Sequence, residues 1–104
     1  MQHESRVHER ARCHLAASVD GPRGPVRGTC TNLSLGGLYL EGVQLPVGST
    51  TRVTVEHPTL GRFQASAEIR HHVGVPKGMG LSFMRLEPAQ LALLQRLIGT
   101  LAPA

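Results

Sequence analysis

The hydrophobic period of this chain changes once, and that change leaves few architectures open. From Arg12 to Met84 apolar residues recur at every second position in short runs, whereas from Pro88 to Leu101 they recur at helical spacing. A period of two belongs to a strand with one buried face, and a period near 3.6 to an amphipathic helix. The alternating runs are Cys13–Val19, Val26–Leu33, Gly37–Leu40, Thr51–Glu56, Phe63–His72 and Met79–Met84. Between them stand segments rich in Gly and Pro: Asp20-Gly21-Pro22-Arg23-Gly24-Pro25, Leu45-Pro46-Val47-Gly48-Ser49, His57-Pro58-Thr59-Leu60-Gly61 and Pro76-Lys77-Gly78. Such punctuation reads as turns. Val53 and Val55 alternate with Arg52, Thr54 and Glu56, and Phe63, Ala65, Ala67 and Ile69 alternate with Gln64, Ser66, Glu68 and Arg70. A polar face matched to each apolar one points to antiparallel strands wet on one side. The final stretch carries Leu91, Leu94, Leu97, Ile98 and Leu101, with Pro88 suited to a first helical turn. The expected fold is therefore mainly all-β: a small six-stranded antiparallel β-barrel with one C-terminal α-helix.

The 104 residues make one domain. Residues 1–11 read as a flexible N-terminal arm, 12–86 as the barrel, and 87–104 as the helix and tail. No βαβ alternation exists, and the glycine-rich stretch at Gly36-Gly37 is not followed by Gly-Lys-Ser or Gly-Lys-Thr, so nucleotide-binding folds of the parallel-sheet type are excluded. No run of about 18 apolar residues occurs, so membrane insertion is not expected, and a cytoplasmic location follows by default.

The formal charge of +4 favours an anionic partner, and Arg6, Arg10, Arg12, Arg23 and Arg27 make the N-terminal quarter the electropositive part. Nucleic acid is not the expected anion. Phe63, Phe83 and Tyr39 are the whole aromatic set, too few for the stacking platforms of a single-strand binder. Cys13 and Cys30 are too few and too far apart for a zinc cluster and read as buried free thiols. His71 and His72, as strand neighbours, face opposite sides and do not share an ion, so no metal is expected and a change at His71 should be silent. No nucleophile has a base and turn context fit for catalysis, so no enzymatic activity and no cofactor are expected.

Two segments carry chemistry. Arg6-Val7-His8-Glu9-Arg10 sets two guanidinium groups four residues apart, and each can give forked hydrogen bonds to a phosphate or a guanine O6/N7 edge. Asn32-Leu33-Ser34-Leu35-Gly36-Gly37 offers an amide and a hydroxyl for a base edge. Its glycines permit positive φ and close backbone approach to a ligand. Arg-x-x-x-Arg followed some twenty residues later by Asn-x-Ser-x-x-Gly, then a closing Gly78-Met79-Gly80-Leu81-Ser82-Phe83 strand and a terminal helix, resembles the PilZ family of cyclic di-GMP receptors over nearly the whole chain.

That resemblance implies a ligand, cyclic di-GMP, and a role for each matching residue. Arg6 and Arg10 would clasp its guanines and phosphates, Asn32 and Ser34 would hydrogen-bond a guanine, and Gly36 and Gly37 would shape the turn that presents them. It also implies a receptor that changes conformation on binding and signals to a protein partner, which the sequence does not identify. Ser5 stands where an Arg in such proteins goes with a stacked ligand dimer, which leaves the number of bound nucleotides open. The rival reading is a ligand-independent PilZ-like adaptor that binds protein through its helix or a strand edge.

Overall fold

The computed structural model describes residues 10–103, in the element order β1 (Ala11–Gly21), β2 (Gly24–Leu33), β3 (Gly37–Glu41), β4 (Thr50–His57), β5 (Gly61–Gly74), β6 (Lys77–Phe83), α1 (Pro88–Gly99) and a two-residue β7 (Ala102–Pro103). Arg6 lies outside the described residues, as does the rest of the Arg-x-x-x-Arg segment before Arg10. All pairings are antiparallel. The order β2-β3-β6-β5-β4-β1, with β1 also paired to β2, closes a six-stranded barrel. Strand β7 adds to the start of β1, where Ala11 faces Pro103 and Arg12 faces Ala102. No period could announce an element of two residues.

The alternation read from the sequence is the alternation of burial. Ala17, Val19, Val53, Val55, Phe63, Ala65, Ala67 and Ile69 point inward, while Arg52, Glu56, Gln64, Ser66 and Arg70 lie on the wet face. A six-stranded barrel is narrow, so alanines share its interior with Phe63, Leu33, Leu40, Ile69 and Met79. Phe83 meets Phe63 edge to face, with ring centroids 5.5 Å apart. The turns are short. Pro22-Arg23 joins the Gly21–Gly24 pair, and Gly24 takes a φ of 120° that an L side chain resists. Cys30 is fully buried, but Cys13 is only half-buried, and both are free thiols.

The seam between β1 and β4 is the shortest in the barrel wall, three residue pairs from Ala17–Val55 to Val19–Val53. Thr51 extends it: its hydroxyl accepts from the Asp20 amide at 3.0 Å and donates to the Asp20 carbonyl at 3.1 Å. That use of both hydroxyl functions explains a buried polar side chain on the inner face of β4.

Helix α1 is held against the barrel at both ends. Gln90 accepts from the Glu87 amide at 2.6 Å and donates to the Gln64 carbonyl on β5 at 2.8 Å. At the other end His57 Nδ1 accepts the amides of Thr59 and Leu60, so its Nε2 carries the proton and donates to Thr100 Oγ1 at 3.2 Å. Between these ties Leu94 and Leu97 are fully buried in the core cluster, with Leu93, Ile98 and Leu101 packed at its margin. Leu91, counted in the apolar stripe by its spacing, is 37% exposed. The buried stripe is therefore centred on Leu94 and Leu97, with Leu91 at its edge.

Leu97→Ala should therefore lower stability by about 2–5 kcal/mol, and Leu91→Ala by no more than about 0.5 kcal/mol, compared by urea midpoints at equal m-value.

Candidate functional site

A cleft of about 410 Å³ opens on the outer barrel surface, and Arg10, Asn32, Ser34, Gly36 and Gly37 all line it. The two sequence motifs, as far as they are described, thus share one wall. The pairing explains how. Ala11 faces Leu33 and Arg12 faces Asn32, so Arg10 continues β1 on the side of Ser34.

Three strand irregularities surround this cleft. Register shifts lie between Arg12 and Leu15 on β1, between Cys30 and Asn32 on β2, and between Ile69 and His71 on β5. Each inserts one extra residue into a ladder, which bends the strand and re-aims its side chains. On β5 the consequence is direct. Ile69 is buried, and then Arg70 and His71, adjacent in sequence, both line the cleft. Strict alternation would send them to opposite faces, and neither is among the site residues expected from the sequence. His71, expected from the sequence to be silent, thus has its ring in the cleft wall. His72 goes elsewhere, donating from Nε2 to the Leu45 carbonyl at 2.6 Å. Among the described residues no group of three His, Cys, Asp or Glu side chains converges as metal ligands would.

The glycines work differently from the expectation. Positive φ occurs, among the described glycines, at Gly24, Gly42, Gly48 and Gly61, and so not at Gly36 or Gly37. Gly37 is required by crowding within the protein: a Cβ there would overlap the Leu81 carbonyl oxygen across the β3–β6 pair. On β6, Gly78 and Gly80 are bare on the outer face and are covered from neighbouring strands. A Cβ on Gly78 would meet the Tyr39 hydroxyl at 2.6 Å, and one on Gly80 would run into the His71 ring. Gly80, Tyr39, Leu81 and Ser82 complete the cleft lining. At Gly80 the cleft is therefore floored by the His71 ring lying over bare backbone. Burial, and then the Glu41 carboxylate, push the Tyr39 phenol above its ordinary pKa, so it stays a neutral hydroxyl.

Ser34 holds the turn together. Its Oγ accepts the amides of Gly36 at 3.1 Å and Gly37 at 3.2 Å, while its own amide donates to the Gly37 carbonyl at 2.9 Å. A hydroxyl has two acceptor positions and one proton. Both acceptor positions serve the turn, and the proton makes only a long 3.4 Å contact with the Gly37 carbonyl. Toward a ligand Ser34 is thus a donor.

The charge of the cleft also differs from the sequence picture. Arg12, Arg23 and Arg27 are not among its lining residues, and the second described cation there is Arg70, sixty positions beyond Arg10. Arg70 pairs with Glu68 at 3.7 Å, both side chains well exposed. An ion pair so exposed is weak, which leaves the guanidinium ready to exchange its partner.

The sequence matches the PilZ domain family over residues 4–99. The chain belongs to that family. No curated protein matches the sequence. Among solved structures, it is similar to the PilZ domain with c-di-GMP of YcgR from Escherichia coli, at 18% identity and a TM-score of 0.82, covering 94% of this chain and 92% of that one. It is also similar to the Bacillus subtilis inhibitor of motility MotI/DgrA, at 22% identity and a TM-score of 0.78, covering 96% of this chain but 53% of that one. A third likeness is to the K. pneumonia MrkH–c-di-GMP complex, at 10% identity and a TM-score of 0.79, covering 94% of this chain and 52% of that one. The chain thus spans about half the length of the motility inhibitor and of MrkH. At these identities the likeness speaks for the PilZ barrel, and the six strands and terminal helix expected from the hydrophobic period are the ones found.

The crowding at Gly37 yields a test within the family fold. Gly37→Ala must part β3 from β6 and should cost about 2 kcal/mol or more. Gly74→Ala, with open space around its Cβ and no positive φ, should change stability by less than about 1 kcal/mol. Thermal unfolding of the two variants beside the parent reads the difference.

Proposed function

We propose that this chain is a receptor for cyclic di-GMP, held between the Arg10 end of β1 and the Asn32–Gly37 turn. The observation that carries the reading is the single cleft whose wall combines Arg10 with Asn32, Ser34, Gly36 and Gly37. The family and the c-di-GMP present in the YcgR and MrkH structures support it.

The chemistry follows from the groups present. Guanidinium groups give paired, charge-assisted hydrogen bonds to phosphate oxygens or to a guanine O6/N7 edge. Arg10 does so from one side of the cleft and Arg70, released from Glu68, from the other. Arg6, four residues before Arg10, would supply the second clasp of the motif. The Asn32 amide both donates and accepts at a base edge, and Ser34 has its proton to give. The His71 ring, which lies over Gly80, offers a flat face against which a base can stack. On this reading the protein catalyses nothing and needs no cofactor. It works in the bacterial cytoplasm, and a protein partner reads the surface rearranged when the Arg-x-x-x-Arg segment engages ligand.

Calorimetric titration with cyclic di-GMP, with GTP and cyclic GMP as controls, decides the claim. Arg10→Ala and Arg6→Ala should each weaken binding roughly ten- to a hundredfold, the loss of a charged hydrogen-bonded contact. Asn32→Ala, Ser34→Ala and Arg70→Ala should weaken it less. A folded parent protein that gives no heat with cyclic di-GMP at high micromolar concentration would sink the proposal.

A further inference from the structure

Cys13 and Cys30 have no role in the ligand chemistry above, yet each stands within three residues of a side chain that lines the cleft. Cys13 sits in the irregular stretch of β1 between Arg12 and Leu15, three residues after Arg10, and Cys30 sits on β2 two residues before Asn32. Their sulfurs are 3.6 Å apart. Cys30 is fully buried and Cys13 half-buried. Cys13 thus keeps part of its surface exposed, with the buried Cys30 sulfur in contact with its own.

We propose that Cys13 and Cys30 form a peroxide-responsive thiol pair that closes into an intrachain disulfide and resets β1 against β2 beside the cleft. The hydrogen bonds assign the roles. The Cys13 thiol donates to the Cys30 carbonyl at 3.2 Å, and the Cys30 thiol donates to the Asn32 carbonyl at 3.5 Å. Once Cys13 loses its proton, the Cys30 thiol can donate to it instead. That hydrogen bond pulls the Cys13 pKa below the ordinary thiol value, against an opposing effect of burial. The same interaction, and then burial, push Cys30 well above it. Cys13 is the attacking sulfur, because the thiolate is the nucleophile.

The balance closes with a hydroperoxide as oxidant. The Cys13 thiolate attacks one peroxide oxygen, the O–O bond breaks, and an alkoxide or hydroxide leaves to take up a proton. Cys13 is then a sulfenic acid. The Cys30 sulfur attacks it, the S–S bond forms, the S–O bond breaks, and hydroxide departs with the Cys30 proton as water. Two thiols lose two electrons in all, and the peroxide gains them. The sulfurs must approach by about 1.5 Å to reach bonding distance. The movement falls in the bulged part of β1, where the ladder is already interrupted, and it removes the Cys30 donor from the Asn32 carbonyl.

The test uses the reduced full chain treated with hydrogen peroxide. Free thiols are counted in denaturant and the intact mass is measured without reductant. Both thiols should disappear together in a monomer lighter by two hydrogens, and dithiothreitol should restore them. Cys30→Ala should stop at a sulfenic acid on Cys13 that dimedone traps, and Cys13→Ala should leave Cys30 unreacted. Two persistent thiols, added oxygen without a cross-link, or a disulfide between chains would each overturn the pair. The effect on ligand rests on the proposed function: the oxidised chain should bind cyclic di-GMP roughly fivefold or more weakly than the reduced one. Equal affinities would overturn that coupling. Absence of heat in the reduced reference would strike the ligand reading, while the thiol count still decides the pair.

Discussion

Six short strands can satisfy all their backbone amides only by closing into a ring, and in this protein β1 closes it. It pairs with β2 along its length, and over Ala17–Val19 it also pairs with β4. A strand of a narrow barrel cannot do this while straight, because closure requires tilt and a staggered register. The extra residue between Arg12 and Leu15 supplies the bend. Past that point the seam is so short that Thr51 must carry it further with a side-chain hydroxyl bonded to both backbone groups of Asp20. The site inherits its position from this closure: Arg10 leaves the barrel just before the bend, and Asn32 lies opposite Arg12.

The same economy governs the turn after β2. Ser34 and Gly37 look like ligand residues by type, but each has prior work inside the protein. Ser34 Oγ satisfies the Gly36 and Gly37 amides, and Gly37 lets β3 lie against the Leu81 carbonyl. A turn fixed in this way presents Asn32 and the Ser34 proton without losing conformational freedom when something binds. The structural work of Asn-x-Ser-x-x-Gly thus does not compete with the proposed reading, in which the same turn would face the ligand.

The fold was legible because strand and helix periods do not resemble each other, and each run in the sequence is short enough to need a turn. Boundaries moved by at most two residues, since the ends of the strands, such as Gly61 and Gly74, carry no alternation to read. The near wall of the site was legible for a different reason, that both motifs are local in sequence. The far wall was not. Arg70 and His71 reach the cleft through a bulge on β5, and a bulge is invisible to any argument that assumes alternation. The one available trace was the Gly78-x-Gly80 pair, whose missing side chains imply that something from a neighbouring strand covers them. Leu91 was misread for the related reason that helical spacing gives a stripe but not its centre. Arg6 lies outside the described residues, so its place rests on the motif.

Taken together, the bulges do more than accommodate strain. An unbroken strand presents one residue in two to its outer face, spaced some 7 Å apart, too sparse to surround a flat ligand. One extra residue on each of β1, β2 and β5 changes that spacing at the same place on the barrel. Arg70 and His71 both reach the cleft, whose lining also holds Arg10 and Ser34. Between them β6 offers Gly80, over which the His71 ring lies. A cleft lined by flat rings, with one guanidinium from the start of β1 and another from β5, thus forms without a loop insertion. The proposed ligand asks for the same combination, a flat face for a base and a guanidinium for a phosphate.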